Sequence, residues 1–434
     1  MKVLMFGWEF PPHISGGLGT ACYGLTKSLT SKGTKILFVV PRAYGDEELS
    51  LINASDILIT ESDKTVLTNL SSPLMTLSGV DVIGIRSGIK PYSVGSENDS
   101  YTIEDWSYEF KSNASLTSET RKAKKYKFSG TYGARLLEEV ASYSEVAGAL
   151  AKHHSFDVIH AHDWPTYLAG IKAKEVSGKP LIAHVHATEF DRAAQIDQRV
   201  YSLEREGLEK ADRIVAVSDW TKRTLVSRYN ISETKISVVH NGILPKKPNA
   251  VSSPPQLNKK IVTFLGRMTY QKGPRYFIEA ARKVLQRLPN VHFVMAGSGD
   301  LLPTVIERVA QLRLSSRFHF TGFLKGENVN KVWSVSDLFV MPSVSEPFGI
   351  TPLEAIQSGV PVIISKQSGV AEVMPHAIAL DFWDIDGLAN AMFHVLTYPS
   401  LSNTLKEKSK QALKQITWDT AAIKLNNLYH ELAL

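Results

Sequence analysis

The sequence has almost no cysteine. Cys22 is the single cysteine among 434 residues, so no internal disulfide can form. A long chain that does without disulfides is compatible with a reducing compartment. The N-terminal apolar run meets Glu9 and Pro11 too soon to be the core of a signal peptide, and no run approaches the ~20 apolar residues that span a bilayer. We therefore expect a soluble, cytoplasmic protein.

A strong excess of charge of one sign is also missing. The chain has 49 Lys and Arg against 43 Asp and Glu, a net charge of +6. Proteins that bind nucleic acid usually carry a concentrated basic patch, so we expect no nucleic-acid partner. A mild positive balance fits a protein that handles anionic small molecules. The length is about two to three times that of a typical domain, which predicts two domains.

Short apolar runs alternate with amphipathic segments of helix length along the whole chain. The runs lack strict alternation of apolar and polar residues, which is typical of strands covered by helices on both faces. Strand and helix in alternation predict an α/β fold with parallel sheets. The predicted strands are residues 3–6, 36–40, 82–85, 158–161, 181–186 and 214–218, followed by 261–266, 291–296, 338–342 and 360–364.

A segment rich in proline and serine divides the chain near its middle. It has no apolar period, and we interpret residues 245–260 as a linker. Residues 1–244 and 261–405 then form two doubly wound, Rossmann-like domains that face each other across a cleft. Residues 406–434 contain a long helix, because Trp418, Ala421, Ala422, Leu425, Leu428, Tyr429 and Leu432 fall on one stripe.

The segment 97–128 is polar, poorly periodic and ends in a basic and aromatic cluster at 121–128. Loops of this length are usually functional lids or solvated insertions. The cluster has the composition of a contact with a carbohydrate or an anionic membrane surface. A solvated face is the simpler interpretation of such a charge run.

A glycine-rich turn follows the first predicted strand. Gly16, Gly17 and Gly19 lead into a helix that stops near Gly33. Glycines at such a turn let backbone amides approach a phosphate, and the helix N-terminus adds partial positive charge. The pattern matches neither a Walker A loop nor a GxGxxG fingerprint. A tight turn that needs glycine explains it equally well.

Arg267 and Lys272 lie just past the predicted strand 261–266. Open α/β sheets bind ligands at the carboxyl ends of their strands. A guanidinium and an ammonium five residues apart across a turn have the chemistry to hold two phosphates. The alternative is a pair of exposed charges beside a helix start.

Two glutamates follow the predicted strand 338–342. Thr351 as N-cap, Pro352 and Glu354 predict a capping box, which would explain Glu354 structurally. Glu346 lies in a loop next to a proline and has no such structural explanation. The amides from Ile350 to 353 predict a second anion site.

Histidines cluster after two strands of the first half. His160 and His162 share one strand, and His184 and His186 share the next. An HxH pair on a strand places two imidazoles on one face, as a metal site requires. No compact third ligand motif accompanies them, and neutral imidazoles also hydrogen-bond to sugar hydroxyls. We therefore expect no metal.

In this order and spacing, these motifs resemble the retaining glycosyltransferases of the GT-B fold, family GT4. The similarity is strongest to bacterial and archaeal glycogen and starch synthases, and it extends over nearly the whole chain. The residues that carry it are Gly16-Gly17-Leu18, His160-Ala161-His162-Asp163-Trp164, Gly266-Arg267, Lys272-Gly273, Glu346 and Glu354 with seven residues between them, and Trp418.

The resemblance implies a donor site for a nucleotide diphosphate sugar. Arg267 and Lys272 would hold the diphosphate with help from the Gly17 amide, and Glu354 would bind the ribose hydroxyls. Ile350 and Thr351 would complete this donor site. Such enzymes generally need no metal and no other cofactor, because the cations take the role that Mg²⁺ plays elsewhere.

The resemblance also implies how transfer proceeds. Glu346 and the amides of Phe348 and Gly349 would face the transferred sugar, and His162 would contact it from the other side of the cleft. The expected activity moves a hexose, with glucose as first candidate, to an α-glucan or related glycan. The alternative acceptor is a lipid or cell-envelope glycan at a membrane surface.

One position departs from the glycogen synthases, which carry lysine before the glycine loop where this chain has Ile14. The departure weakens a dedicated ADP-glucose-dependent glycogen synthase and leaves the family unaffected. A dinucleotide-dependent oxidoreductase is a rival class, supported by Gly297 and Gly299 after a strand. It lacks the third glycine and the acidic partner of that motif. A non-catalytic sugar-binding module would leave Glu346 and the Arg267–Lys272 pair unexplained.

Overall fold

The computed structural model describes residues 1–11, 16–41, 135–192, 195–245 and 259–433, together with the backbone of short strands between residues 51 and 131. Most of the predicted linker, residues 246–258, lies outside the described residues. The same holds for Ile14 and for residues 97–127 of the predicted basic segment. In the part of the chain that the structure describes, no helix is long and apolar enough to cross a membrane.

The first half of the chain builds an eight-stranded parallel sheet in the order β12-β11-β10-β9-β1-β2-β6-β3. Four further short strands form two separate pairs, β4 with β5 and β7 with β8. The twelve strands are β1 (Lys2–Phe6), β2 (Lys35–Val40), β3 (Leu51–Asn53), β4 (Ile57–Ile59), β5 (Thr65–Leu67), β6 (Val80–Gly84), β7 (Ser87–Lys90), β8 (Phe128–Thr131), β9 (Val158–His162), β10 (Leu181–Val185), β11 (Arg213–Ala216) and β12 (Ile236–Val238).

Helices cover this sheet on one face through a core that includes Tyr143, Ile159 and Tyr167. The central strands β9 and β10 are buried at every position, as their continuous apolar sequences predict. The helices of the first half are α1 (Gly17–Ser31), α2 (Leu136–His153), α3 (Trp164–Ser177), α4 (Glu189–Arg192), α5 (Gln198–Lys210) and α6 (Asp219–Tyr229).

The second half forms a six-stranded parallel sheet in the order β15-β14-β13-β16-β17-β18. This is the strand order of the doubly wound dinucleotide-binding fold, so the predicted α/β class is confirmed. Its strands are β13 (Lys260–Leu265), β14 (Val291–Ala296), β15 (Phe318–Gly322), β16 (Leu338–Met341), β17 (Val362–Ser365) and β18 (Ile378–Leu380).

Helices lie on both faces of the second sheet, over two separate apolar cores. The helices that follow β13 are α7 (Pro274–Arg287), α8 (Leu302–Gln311), α9 (Glu327–Val335), α10 (Thr351–Gln357), α11 (Val370–Val373), α12 (Ile385–Thr397), α13 (Pro399–Leu413) and α14 (Trp418–Ala433). From β9 to β12 and from β13 to β18, at least one helix separates consecutive strands, as parallel neighbours require.

Helix α14 does not pack on the second sheet. Its stripe is buried beside α1 on the open face of the first sheet, where Trp418, Leu425 and Tyr429 share a core with Cys22 and Leu25. The chain therefore crosses back, after the second sheet, to cover the first.

Both sheets reverse their strand order at one point. The neighbours of β1 are β2 and β9, and the neighbours of β13 are β14 and β16. Ligands of open α/β sheets bind in the crevice outside the carboxyl ends of such strands. The fold thus predicts that the loops after β1, β9, β13 and β16 carry the site.

Candidate active site

A cleft of about 640 Å³ lies between the carboxyl ends of the two sheets, a volume typical of small-molecule sites. Nine of the ten predicted site residues line it: Gly17, Arg267, Lys272, Glu346, Phe348, Gly349, Ile350, Thr351 and Glu354. Lining residues that the sequence argument did not select include Glu9, Asp163, His186, Glu189, Arg192 and Phe323. The structure thus brings the motifs of both halves together.

Arg267 and Lys272 are placed by the end of β13 and a single turn of 3-10 helix over Tyr270–Lys272. The Arg267 guanidinium donates to the Gln271 side-chain oxygen at 3.0 Å. The Lys272 ammonium is ion-paired with the Glu346 carboxylate. The two cations therefore point into the cleft from one short segment and are not merely exposed surface charges.

Glu346 is held more firmly than its loop position predicts. Its side chain is 6% exposed, and Ser343 donates to the carboxylate at 3.4 Å besides the Lys272 contact. Its backbone bridges to the loop after β17, donating to Gln367 and accepting from Gly369, both at 2.9 Å. The expectation that Glu346 has no structural role is wrong, because it joins two loops.

Gly349 is needed to bring the backbone past Glu346. Its φ is +99°, a region that residues with a Cβ rarely adopt. A Cβ there would lie 3.2 Å from Cγ of Glu346. Because glycine has no Cβ, the backbone at position 349 can pass close to the side chain of Glu346.

The predicted capping box is wrong. Helix α10 begins at Thr351 with Ile350 as N-cap, so Thr351 is the first helical residue and Glu354 the fourth. The amides of Leu353 and Glu354 both donate to the Ile350 carbonyl. These two amides are thus already hydrogen-bonded, and proline has no N–H. The predicted anion site is therefore limited to the amides of Ile350 and Thr351. Glu354 lines the cleft.

Four histidines stack as a ladder on one face of β9 and β10. The ring centroids of His160 and His162 are 4.3 Å apart, and those of His184 and His186 are 4.2 Å apart. His184 pairs with His162 in the strand register. The ladder is anchored at its inner end, where the Tyr429 hydroxyl lies 2.5 Å from Nδ1 of His160.

The structure does not place His162 in the cleft. His162 is fully buried, and its Nδ1 lies 2.9 Å from Nε2 of His186. His186 is the histidine that lines the cleft. His162 was chosen from β9. The cleft-lining histidine is His186 instead, which directly follows the neighbouring strand β10.

Burial keeps these imidazoles neutral. Desolvation lowers the pKa of His160 to about 3 and that of His186 to about 3, and it holds the pKa values of His162 and His184 well below their ordinary value. Ring nitrogens of His160, His162 and His184 lie within 4.8 Å of one another. Both nitrogens of His160 are already hydrogen-bonded, to Tyr429 and His184, so a metal ion there would have to break these bonds.

Asp163 was not among the predicted site residues, but its backbone conformation and its pKa are both unusual. It directly follows β9 with a positive φ of +61°, and its carboxylate accepts from the amides of His186 and Ala187 at 2.7 and 3.3 Å. Burial raises the pKa of Asp163 to about 7. Strained backbone of this kind clusters at functional sites. The residue type alone does not show that an aspartate adopts a positive φ, so the sequence contains no indication of this feature.

The two halves meet directly beside the Glu346 loop. Ser345 donates to Asp191 of α4, and the Trp220 indole donates to Ser345 at 3.3 Å. Glu372 of α11 accepts from the Trp220 amide at 2.7 Å and pairs with His240 at 2.9 Å. These contacts fix the loop after β16 from the first half of the chain.

Two Rossmann-like sheets face each other across the cleft, which is lined by two cations and a carboxylate. This is the architecture of a GT-B type glycosyltransferase. Residues 122–247 match the model "Glycosyltransferase Family 4", and residues 246–412 match "Glycosyl transferases group 1". The chain belongs to these GT-B glycosyltransferases, as the sequence motifs predict.

Relatives of known sequence agree with this family. The chain is 27% identical to an uncharacterized glycosyltransferase of Methanocaldococcus jannaschii, over 99% of this chain and 98% of that protein. It is 23% identical to the glycogen synthase of Mycobacterium tuberculosis, over 99% of this chain and 94% of that protein.

Solved structures show the same fold. The sucrose-phosphate synthase of Thermosynechococcus elongatus aligns with a TM-score of 0.72 and 18% identity, over 99% of this chain and 98% of that one. The catalytic domain of starch synthase IV from Arabidopsis thaliana, bound to ADP and acarbose, aligns with a TM-score of 0.69 and 16% identity, over 100% and 99% of the two chains.

Proposed function

We propose that this glycosyltransferase is a retaining hexosyltransferase that moves a hexose, with glucose as first candidate, from a nucleotide diphosphate sugar to an α-glucan or related glycan. One observation carries the proposal. Arg267, Lys272 and Glu346 converge at the switch point of the second sheet and share a cleft with Gly17, the first residue of α1. A fifteen-residue helix adds partial positive charge at that end.

The leaving group is the reason for this arrangement. When the bond to the sugar breaks, negative charge develops on the nucleotide diphosphate, and fixed cations and amides stabilise that charge in the transition state. Arg267 and Lys272 are suited to this role without a metal. Lys272 already pairs with Glu346, so an arriving diphosphate would share the ammonium with that carboxylate.

The acceptor side of the cleft is formed by the first half of the chain. His186 replaces His162 as the histidine proposed to contact the sugar, because it lines the cleft and its low pKa keeps it neutral. A neutral imidazole is able to accept or donate one hydrogen bond to a hydroxyl. In a front-face reaction the bond between the anomeric carbon and the phosphate breaks, the acceptor oxygen bonds to that carbon on the same face, and the departing phosphate takes the acceptor proton. Because attack and departure share one face, the anomeric configuration would be retained.

The nature of the substrates draws on what related proteins bind. Glycogen synthase is the name of one full-length relative, and a structural neighbour was solved with ADP and acarbose. These names support a hexose donor and a glucan-type acceptor for this chain. A lipid or envelope glycan at a membrane surface stays the alternative, and the basic segment that would contact the membrane lies outside the described residues.

The test measures hexose transfer and donor hydrolysis with ADP-, UDP- and GDP-glucose. We expect Glu346→Gln and Arg267→Ala each to reduce turnover by about 10²–10³-fold while the circular dichroism spectrum stays unchanged, since each removes a group that acts on the developing charge. Glu407→Gln and Arg205→Ala, which change exposed residues on α13 and α5, are the matched controls. Wild-type turnover in both site variants would refute the site assignment.

A further inference from the structure

On the second half of the chain, the rings of Tyr276, Phe382 and Trp383 form a continuous patch, and Tyr270 precedes Tyr276 by six residues. These four residues are here called the aromatic strip. The Tyr276 and Phe382 rings are 4.9 Å apart, and the Phe382 and Trp383 rings are 4.7 Å apart, both edge to face. Tyr270 opens the 3-10 turn Tyr270–Lys272, which leads directly into α7, the helix that carries Tyr276.

The strip is exposed at both ends. Trp383 is 58% exposed and Tyr270 is 51% exposed, while Phe382 and Tyr276 between them are partly buried. Tryptophan is normally among the more buried residues, so an exposed tryptophan that packs on a supported ring is a notable feature. The Phe382 ring supports the Trp383 ring, which lowers the entropy cost of binding to that tryptophan.

The strip is continuous with the cleft. Tyr270 begins the turn Tyr270–Lys272, whose next two residues, Gln271 and Lys272, line the cleft. The same turn contacts α4 of the first half across the cleft. A ligand that leaves the cleft over this turn therefore meets Tyr270 first.

We propose that the aromatic strip binds an extended carbohydrate acceptor, with hexose rings stacked on Tyr270 and Trp383 as the chain emerges from the cleft. The inference rests on the proposed function and names the acceptor as a chain of several sugar units. A hexose presents an apolar C–H face that packs on the negative face of an aromatic ring, and its hydroxyls reach the polar groups around the ring.

The charges beside the strip favour sugar over a membrane. Lys366 pairs with Asp381 at 2.9 Å, Lys283 pairs with Asp386, and Asp384 accepts from the Gly387 amide. An anionic membrane requires an excess of lysine and arginine, which these residues do not provide.

The area also favours sugar over a protein partner. Two half-exposed aromatic side chains offer roughly 150–250 Å² together, whereas a stable protein interface buries about 800 Å² on each partner. The strip is large enough for one or two sugar rings. Its size fits an accessory contact that lengthens the acceptor site.

The experiment compares native gel mobility in gels containing glycogen, dextran or a soluble β-glucan. We expect at least one of these polysaccharides to retard the wild type, and Trp383→Ala and Tyr270→Ala to weaken that retardation about five- to tenfold. Tyr398→Ala, which removes an aromatic ring of similar exposure elsewhere on the same half, should be retarded like the wild type. Donor hydrolysis by Trp383→Ala should be unchanged, which also shows that the variant is folded.

Transfer kinetics supply a second measurement. Trp383→Ala should raise KM for maltoheptaose and leave KM for maltose unchanged. Equal retardation of Trp383→Ala and wild type would overturn the inference, as would a wild type that no polysaccharide retards. Binding to phosphatidylcholine–phosphatidylglycerol vesicles that is lost in Trp383→Ala would overturn it in favour of a membrane contact. Absence of donor turnover in a wild type that still binds polysaccharide through Trp383 would refute the proposed function alone.

Discussion

Acid should destabilise this protein through its histidine ladder. The folded-state pKa values of His160 and His186 are about 3, lowered from 6.5 by burial. Folded histidines of this kind bind fewer protons than unfolded ones below pH 6.5, so stability that is present above 6.5 is lost as the pH falls towards 3. At about pH 5, His160 and His186 each lower the free energy of unfolding by about 2 kcal/mol.

Other groups in the cluster modify this loss. The pKa values of His162 and His184 are also lowered by burial, so they act in the same direction. Asp163 acts in the opposite direction, because burial raises its pKa to about 7 and folding then retains a proton that the unfolded chain releases. Asp163 therefore raises the free energy of unfolding by about 2 kcal/mol as the pH falls from about 7 to 5.

The assay is equilibrium urea unfolding, followed by tryptophan fluorescence at about pH 7, 6 and 5 and constant ionic strength. His160→Gln should lose about 2 kcal/mol less than the wild type over this range, since it removes one buried titrating group. His430→Gln, at an exposed position of α14, should follow the wild type. If His160→Gln shows the same pH dependence as the wild type, the ladder is not the source of acid sensitivity.

Three further predictions concern helix α14 and the reaction. Leu425→Ala should lower the free energy of unfolding by about 2–5 kcal/mol because Leu425 is fully buried, whereas Ile423→Ala on the exposed side of the same helix should change it little; equal effects in urea unfolding would contradict the packing. Gly24→Ala should cost about 1–3 kcal/mol, because the new Cβ would lie 2.3 Å from the Trp418 ring, and an unchanged melting temperature would contradict it. EDTA should leave hexose transfer largely unchanged, because the proposed function assigns the role of a metal to Arg267 and Lys272; a loss restored by added Mg²⁺ would contradict that.

The fold was predictable because apolar continuity is a local property. All ten predicted strands are present, with ends that differ by a few residues. Eight strands were missed: β3, β4, β5, β7, β8, β12, β15 and β18. Five of these have only three residues, and β15 alternates buried with less buried positions at the sheet edge. Edge strands are half exposed, so their sequences lack the apolar run that identifies central strands.

The site was predictable where ligand chemistry selects residue type in a short motif. Arg267, Lys272 and Glu346 carry charge at strand ends, and the topology then brings them together. Residues whose role depends on conformation were missed. Neither the positive φ of Asp163 nor the position of His186 at the cleft wall beyond β10 can be recognised from a local sequence pattern. The same limit explains the capping error, because a one-residue shift of the start of α10 reassigns Thr351 and Glu354.

The return of α14 to the first sheet sets an order for folding during synthesis. Tyr429 follows β12 by 191 residues, counted as 429 minus 238. At about 5–20 residues per second the ribosome needs roughly 10–40 s to make that stretch. Throughout this time the apolar face around Val3, Met5 and Ile182 waits for the helix that covers it. The first domain is therefore completed after the second, and the nascent chain carries an open hydrophobic surface that chaperones would have reason to bind.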